Sequence, residues 1–591
     1  MLKRRYVTVG GTRQVHYRCG GSGPALVMIH ESPLSSAALA ALANSLVDQF
    51  TVIALDTPGY GNSDPLPSPA RPEVADYAAA TAETLAALNV ERCVLYGALT
   101  GGAIALELAR SRPDVVAALT LDFLPWFPAE QRAFFLENYL PLFPTRADGG
   151  HLVTLWARFR DQYAHLPWFD RELLARMDID MPNSQLIHDG VMDMLRAGDG
   201  YRVAYSAAFR YEPEAPLADV KVPVALVAPI EEFITAQTHL LKEPPLATAT
   251  APLPGGREAE TIIRQLGDVV VSDMDDGPSD SAVWMRVGQQ ITSSYVDTSV
   301  GQLHVRGRPG DDARPVVLLH PSPGSALMLH GLIEHLMESR PVIAFDTLGN
   351  GESDKPPGWE FSRSWEPHGP REPAGRQPPE VPWDAPQIVD YASVVAEAVD
   401  ALDLDEFDLY GSHTGGAIAI ETAIVLGPDR VRNLVVDGLA MFTPDEQAEH
   451  LAHYTPPLEP QWDGSHLAWA WSYLEAQTRF WPWYTQTREG IRWVDAVSPD
   501  DLHTWVVELL KSGHTYPLAY RAAFTYAIAE RLPLLRSRAM IGASSDDPLA
   551  GLSEEGARIA PGAVAVVMPG DVREKAALCA RFLDGSDDPA R

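Results

Sequence analysis

Short runs of apolar, often β-branched residues punctuate the chain: ALVMI (25–29), VIAL (52–55), RCVLY (92–96) and VAALTLD (116–122). Between them lie Ala- and Leu-rich stretches such as ADYAAATAETLAAL (75–88), whose apolar positions recur at helical spacing. Runs that are apolar throughout predict strands buried on both faces, and their alternation with helices predicts an open, mostly parallel sheet covered on both sides. The strands ending in LTLDF (119–123) and LVVDG (434–438) are followed by segments rich in Trp, Phe and Tyr, about 124–215 and 439–530. These read as several helices inserted between strands, a cap roofing a pocket.

The pattern occurs twice. YGALTGGAIALELA (96–109) returns as YGSHTGGAIAIETA (410–423), VIALDTPGYGNSD (52–64) as VIAFDTLGNGESD (342–354), and LVMIHESP (26–33) as VVLLHPSP (316–323). Further on, DGGHLVTLW (148–156) matches DGSHLAWAW (463–471) and YRVAYSAAFRY (201–211) matches YPLAYRAAFTY (516–526), both 315 positions later. The chain is a tandem duplication of a unit of roughly 280 residues. Copy 1 is expected over 1–271, a linker over 272–288 containing the acidic SDMDDGPSDSAV, and copy 2 over 289–591. An insertion at roughly 355–386, dense in Pro, Gly and Arg, reads as a surface loop or flap near the entrance of copy 2.

The net charge of −33, from 79 acidic and 46 basic residues, argues against nucleic acid and anionic membranes, which need clustered Lys and Arg. Three cysteines, Cys19, Cys93 and Cys579, lack the number and spacing of a disulfide framework or thiolate metal site. With no apolar stretch behind the basic N-terminal residues and no long apolar run elsewhere, the chain is expected to be cytoplasmic. The duplication is also compatible with an intramolecular pseudo-dimer.

In fold, the two copies resemble the α/β-hydrolase family. The resemblance rests on a strand, sharp turn and helix with small residues flanking one position, an H-x-S-P turn after an early strand, and D-T-x-G-x-G-x-S-D. It implies two tandem domains, each a mostly parallel sheet flanked by helices and capped. The family's elbow, G-x-Nu-x-G, holds its nucleophile on a strained turn. Here Gly97-Ala98-Leu99-Thr100-Gly101 puts Leu99 at that position, and Gly411-Ser412-His413-Thr414-Gly415 puts His413 there. No histidine follows His239 in copy 1 or His514 in copy 2, where the family places its triad histidine. A Ser-His-Asp mechanism built at the family's own positions is therefore excluded, and Leu99 makes copy 1 inert at its elbow.

Copy 2 keeps groups that can do other chemistry. A carboxylate on one ring nitrogen would fix the tautomer of His413 and make the other nitrogen a general base near neutral pH. By position, either Asp546, in MIGASSDDP (540–548), or Asp437, at the end of LVVDG, could supply it. The resemblance implies an oxyanion hole from the backbone N–H groups of Thr414 and Ser322. It also implies a substrate pocket for which His320, His466, Trp471 and Tyr520 are candidates. No H-E-x-x-H spacing supports a metal, and no G-x-G-x-x-G follows a strand to hold a dinucleotide, so neither metal nor cofactor is expected. The expectation is a cofactor-independent enzyme with His413 as base on a small organic substrate, hydrolysing an ester or lactone in preference to lyase, isomerase or oxygenase chemistry. The alternative is a small-molecule-binding or scaffold protein that kept the pocket and lost the reaction.

Overall fold

A computed structural model describes residues 2–270, 284, 286–310, 313–355 and 385–585. Nearly all of the insertion expected at 355–386 and most of the linker expected at 272–288 lie outside the described residues. Two compact units divide the chain: Met1–Pro144 with His151–Val283, and Thr145–Gly150 with Trp284–Arg591.

In the first unit the strands are β1 (Lys3–Val9), β2 (Arg13–Gly21), β3 (Ala25–Ile29), β4 (Thr51–Leu55), β5 (Cys93–Ala98), β6 (Val116–Asp122), β7 (Val224–Ala228) and β8 (Ala247–Thr250). They form one sheet in the order β1-β2-β4-β3-β5-β6-β7-β8. The second unit repeats it with β9 (Thr292–Thr298), β10 (Gly301–Arg308), β11 (Val316–Leu319), β12 (Val342–Phe345), β13 (Phe407–Ser412), β14 (Val431–Asp437), β15 (Arg538–Ala543) and β16 (Val564–Val567), ordered β9-β10-β12-β11-β13-β14-β15-β16. In each, the first three strands in the sheet order pair antiparallel and the rest pair parallel.

Sidedness follows from the period of two along each strand. In the second unit Val316, Leu318, Tyr410, Val435 and Met540 pack on one face with the helices His330–Leu336 and Val572–Leu583. On the other face, Val317, Leu319, Leu409, Val436 and Ile541 pack with the helices Ile388–Ala401 and Thr414–Leu426. Each such side chain contributes about 1.5–3 kcal/mol by leaving water. Cys579 is a member of the first of these faces, and Cys19 and Cys93 are buried in the first unit.

The D-T-x-G-x-G turn is a structural hub. Asp346 accepts from His304 Nδ1 (2.9 Å), Ala326 N (2.7 Å) and Glu352 N (2.8 Å), and a Cβ on Gly351 (φ 53°) would stand 2.3 Å from its carboxylate. Between β14 and β15 the cap of the second unit is built from the helices Pro444–His453, Ser465–Arg479, Pro499–Ser512 and Tyr516–Thr525. The Thr443 and Glu446 capping box starts the first, and Ser498 with Pro499 starts the third.

Candidate active site

The elbow is a consequence of its small residues. β13 ends at Ser412, the helix begins at Thr414, and His413 between them has φ 52° and ψ −112°, in the left-handed half of the map that non-glycine residues rarely adopt. A Cβ on Gly411 would stand 2.3 Å from the carbonyl oxygen of Gly415, and one on Gly415 2.4 Å from that of Leu319. The strained backbone is fixed by hydrogen bonds: His413 N donates to Asp437 O (3.0 Å), and His413 O accepts from Gly416 N (2.9 Å). The first unit builds the same turn with Leu99 at φ 46° and ψ −112°, its N–H donating to Asp122 O (2.9 Å).

Both nitrogens of the His413 ring are engaged. Nε2 lies 2.9 Å from Asp547 Oδ2 and Nδ1 lies 2.9 Å from Ser412 Oγ. Burial alone would lower the pKa of the imidazolium, but the hydrogen bond and charge of Asp547, helped by the charge of Asp437, hold it above its ordinary 6.5. Asp547 moves the opposite way: burial would raise it, and the bond and charge of His413 bring it below the usual carboxylate value.

The carboxylate on the ring is thus Asp547 rather than Asp546 or Asp437. Leu549 N donates to Asp547 Oδ1 (2.8 Å), which turns Oδ2 toward His413. Asp546, one residue earlier in the same turn, lines the cavity without bonding the ring, and its backbone oxygen accepts from Arg492. Asp437 is committed below the elbow, where its Oδ2 accepts from Tyr410 Oη (2.8 Å) and Lys575 Nζ (2.7 Å). Lys575 went unread in the sequence. It lies on the helix Val572–Leu583, in the segment where a triad histidine was sought.

Above His413 opens a cavity of about 1020 Å³. Thr414, Ser322 and Tyr520 are on its wall, and so is Asp546, which was expected on the His413 ring instead. The N–H groups of Thr414 and Ser322 meet no protein acceptor among the described residues. His320 does not belong to the wall. It is buried in the H-x-S-P turn, with Nδ1 2.8 Å from Pro321 O and Nε2 accepting from Thr347 N (2.9 Å), so its ring ties two loops together. His466 is likewise structural: its Nδ1 accepts from Gln461 N (3.1 Å), and burial drops its pKa to about 4. Trp471 is a buried cap residue, also off the wall. Side chains that sequence reasoning missed add an aromatic group, Phe442, Tyr454, Trp481, Trp493, Trp505 and Phe524, among aliphatic ones such as Leu474 and Ile491, with Gln477 and Arg492 among the polar points. Only the aromatic richness of the cap signalled them.

Among the described residues no group of three or more His, Cys, Asp or Glu gathers as a metal site, and no helix is long and apolar enough to cross a membrane.

Two capped, mostly parallel sheets, each with a strained strand-turn-helix elbow, define a duplicated hydrolase-type fold. The chain belongs to the alpha/beta hydrolase fold family, whose model matches residues 24–202 and 314–506. It is 36% identical over 117 residues to an uncharacterized protein of Mycobacterium tuberculosis, covering 20% of this chain and 33% of that one. It is 34% identical over 130 residues to a fluoroacetate dehalogenase of a Burkholderia species, covering 21% and 42%. With a 2-hydroxymuconate semialdehyde hydrolase of a Pseudomonas species it shares 31% over 158 residues, covering 26% and 44%. The chain thus spans less than half the length of these relatives. Among solved structures it is similar to epoxide hydrolase A from Mycobacterium thermoresistibile (TM-score 0.37, 15% identity, 46% of this chain and 99% of that one). It is similar also to E-2-(acetamidomethylene)succinate hydrolase (TM-score 0.35, 19% identity, 46% and 100%).

Proposed function

We propose that the second copy is a cofactor-independent hydrolase of a small, largely apolar ester or lactone, with His413 as general base on water. The observation that carries this reading is the imidazole itself, raised on a strained elbow into a cavity lined by aromatic and aliphatic side chains and held by Asp547. With Nε2–H donating to Asp547, the lone pair on Nδ1 is free to accept a proton; at rest it accepts from the Ser412 hydroxyl. A water displacing that hydroxyl would give its proton to Nδ1 as its oxygen bonds the carbonyl carbon. The carbonyl π pair moves onto oxygen, where the N–H groups of Thr414 and Ser322 receive it. Collapse breaks the bond to the alcohol, whose oxygen takes the proton back from Nδ1. A dehalogenase and a hydrolase among the relatives support hydrolytic chemistry as the class.

One observation favours a second reading, a binding protein without chemistry: both nitrogens of His413 are already occupied, and no hydroxyl or thiol stands at the nucleophile position. A mass-spectrometric turnover assay separates the two, presenting wild type and His413→Ala to esters, lactones and enolisable ketones with no added cofactor. Consumption by wild type alone, with gain of water, is the expected result. Fragments without water would move the reaction to a lyase, and gain of oxygen to an oxygenase. Retention of a compound equally by both proteins, with nothing consumed, would establish the binder.

A further inference from the structure

The cavity above His413 holds one cation that the proposed reaction does not use. Among the described residues Arg492 is the only Lys or Arg on its wall. It follows the bridge between Phe480 and Ile491, and its backbone N–H donates to Arg479 O (2.8 Å), which fixes it where the chain doubles back on the end of the helix Ser465–Arg479. Nη1 donates to Gln477 O (3.0 Å), and Nη2 lies 3.5 Å from Asp546 O. Both carbonyls belong to residues of the same wall, so the guanidinium is held at the cavity without a carboxylate partner among the described residues.

A guanidinium keeps its proton, and it carries five N–H donors. With one carbonyl on each terminal nitrogen, one N–H on each is left over. Nε is sealed from water and has no partner, so the charge is partly stripped of solvent. Its field reaches the centre of the site: burial would push Asp547 up, and the bond and charge of His413, with the charge of Arg492 added, hold it below the usual carboxylate value. Outside the His413 and Asp547 pair, the other charges on the wall are Asp495 and Asp546, and both are exposed. Arg492 is half-buried, where a charge acts through a lower dielectric and is screened less.

The first copy shows that the backbone here does not require a cation. There the same bridge joins His165 and Arg176, and Met177, 315 positions before Arg492, donates its N–H to Ala164 O (3.0 Å). One framework thus carries an apolar chain in the copy with Leu99 and a guanidinium in the copy with His413. Beside it, Leu166, Asp178 and Gly190 of the first copy correspond to Trp481, Trp493 and Trp505 of the second, all three on the cavity wall.

We propose that the cavity of the second copy takes a small organic carboxylate with an apolar body, the carboxylate paired to the terminal nitrogens of Arg492 and the body among the rings of Trp481, Trp493 and Trp505. Joined to the hydrolysis reading, on which this last step rests, the substrate is a half-ester of a dicarboxylic acid or a lactone bearing a carboxylate.

The test is isothermal titration calorimetry of the full chain at low ionic strength, wild type and Arg492→Met, with butyrate, hexanoate, phenylacetate and 3-phenylpropionate, each beside its uncharged amide, and with phenethylammonium as a cation. At least one carboxylate binds wild type about tenfold or more tightly than its amide, and Arg492→Met binds acid and amide alike. The proposal is overturned if no carboxylate is preferred to its amide, if the preference survives in Arg492→Met, or if phenethylammonium binds more tightly than the carboxylates, which would give the cavity to Asp495 and Asp546. Should Arg492→Met not fold, Arg492→Gln takes its place, and the wild-type contrast between acid and amide still decides. None of these ligands contains an ester or lactone. A failed turnover assay therefore leaves a measured acid preference standing, and turnover of esters by a cavity without that preference overturns this inference alone.

Discussion

The ion pair at the elbow ties activity and stability to pH in opposite directions. In the proposed reaction His413 must be unprotonated, and its pKa is raised, so kcat/KM is expected to climb as pH rises through a value above 6.5. Asp547→Asn removes the main cause of the upward shift; the inflection should move down and kcat fall by about 10²-fold or more, as when a histidine loses its orienting carboxylate. Asp546→Asn, off the ring, should change kcat by less than about tenfold, and steady-state kinetics across pH distinguish the two aspartates. Stability runs the other way. The stabilisation from His413 is fully present below 6.5 and disappears as pH rises through its folded pKa; that of Asp547 is present above its unfolded value and is lost as pH falls through its lower folded value. The Tm penalty of Asp547→Asn should therefore be largest near about pH 5 and smallest above about pH 8.

At the scale of elements, the elbow belongs to the strand-helix junction more than to the residue it displays. Gly415→Ala forces a Cβ to 2.4 Å from the carbonyl oxygen of Leu319 on the neighbouring strand β11, backbone that cannot step aside. A loss of about 3 kcal/mol or more in urea unfolding is expected. Beneath the elbow, Lys575 joins the last helix to the end of β14 through the buried Asp437. Lys575→Met strands that carboxylate and should cost roughly 2 kcal/mol, most of which Asp437→Asn in the same chain would restore. These pairings mark the limit of what the sequence could reveal. The strands, the repeat and the elbow were legible because each is written in a short contiguous stretch with its own period or glycine spacing. The choice between Asp546 and Asp547 depends on one residue of register in a turn, and the pairing of Lys575 with Asp437 spans 138 positions. His320 and His466 misled for a related reason. A histidine that bridges backbone groups within a turn has the same one-letter signature as one that faces a substrate.

For the whole molecule, duplication has produced two copies with one backbone plan and different side-chain chemistry. The second unit has an imidazole on its elbow; the first has Leu99 there. If turnover resides in the second unit, Leu99→Ala should leave kcat within about twofold of wild type, since Leu99 belongs to the elbow of the first unit and supplies no group to the proposed reaction. The same kinetic assay applied to His413→Ala, for which loss of turnover is the expected outcome, calibrates that comparison. The strain at Leu99 has a meaning of its own. A reactive residue would have a use for so unfavourable a backbone, but leucine gains nothing from φ 46°. The packing of the glycines and the bond from Leu99 N to the strand beside it maintain the turn whatever side chain rides on it. The elbow of the first unit is thus an unarmed socket, already built and already stable, in which one codon change could install a nucleophile or a base without redesigning the fold around it.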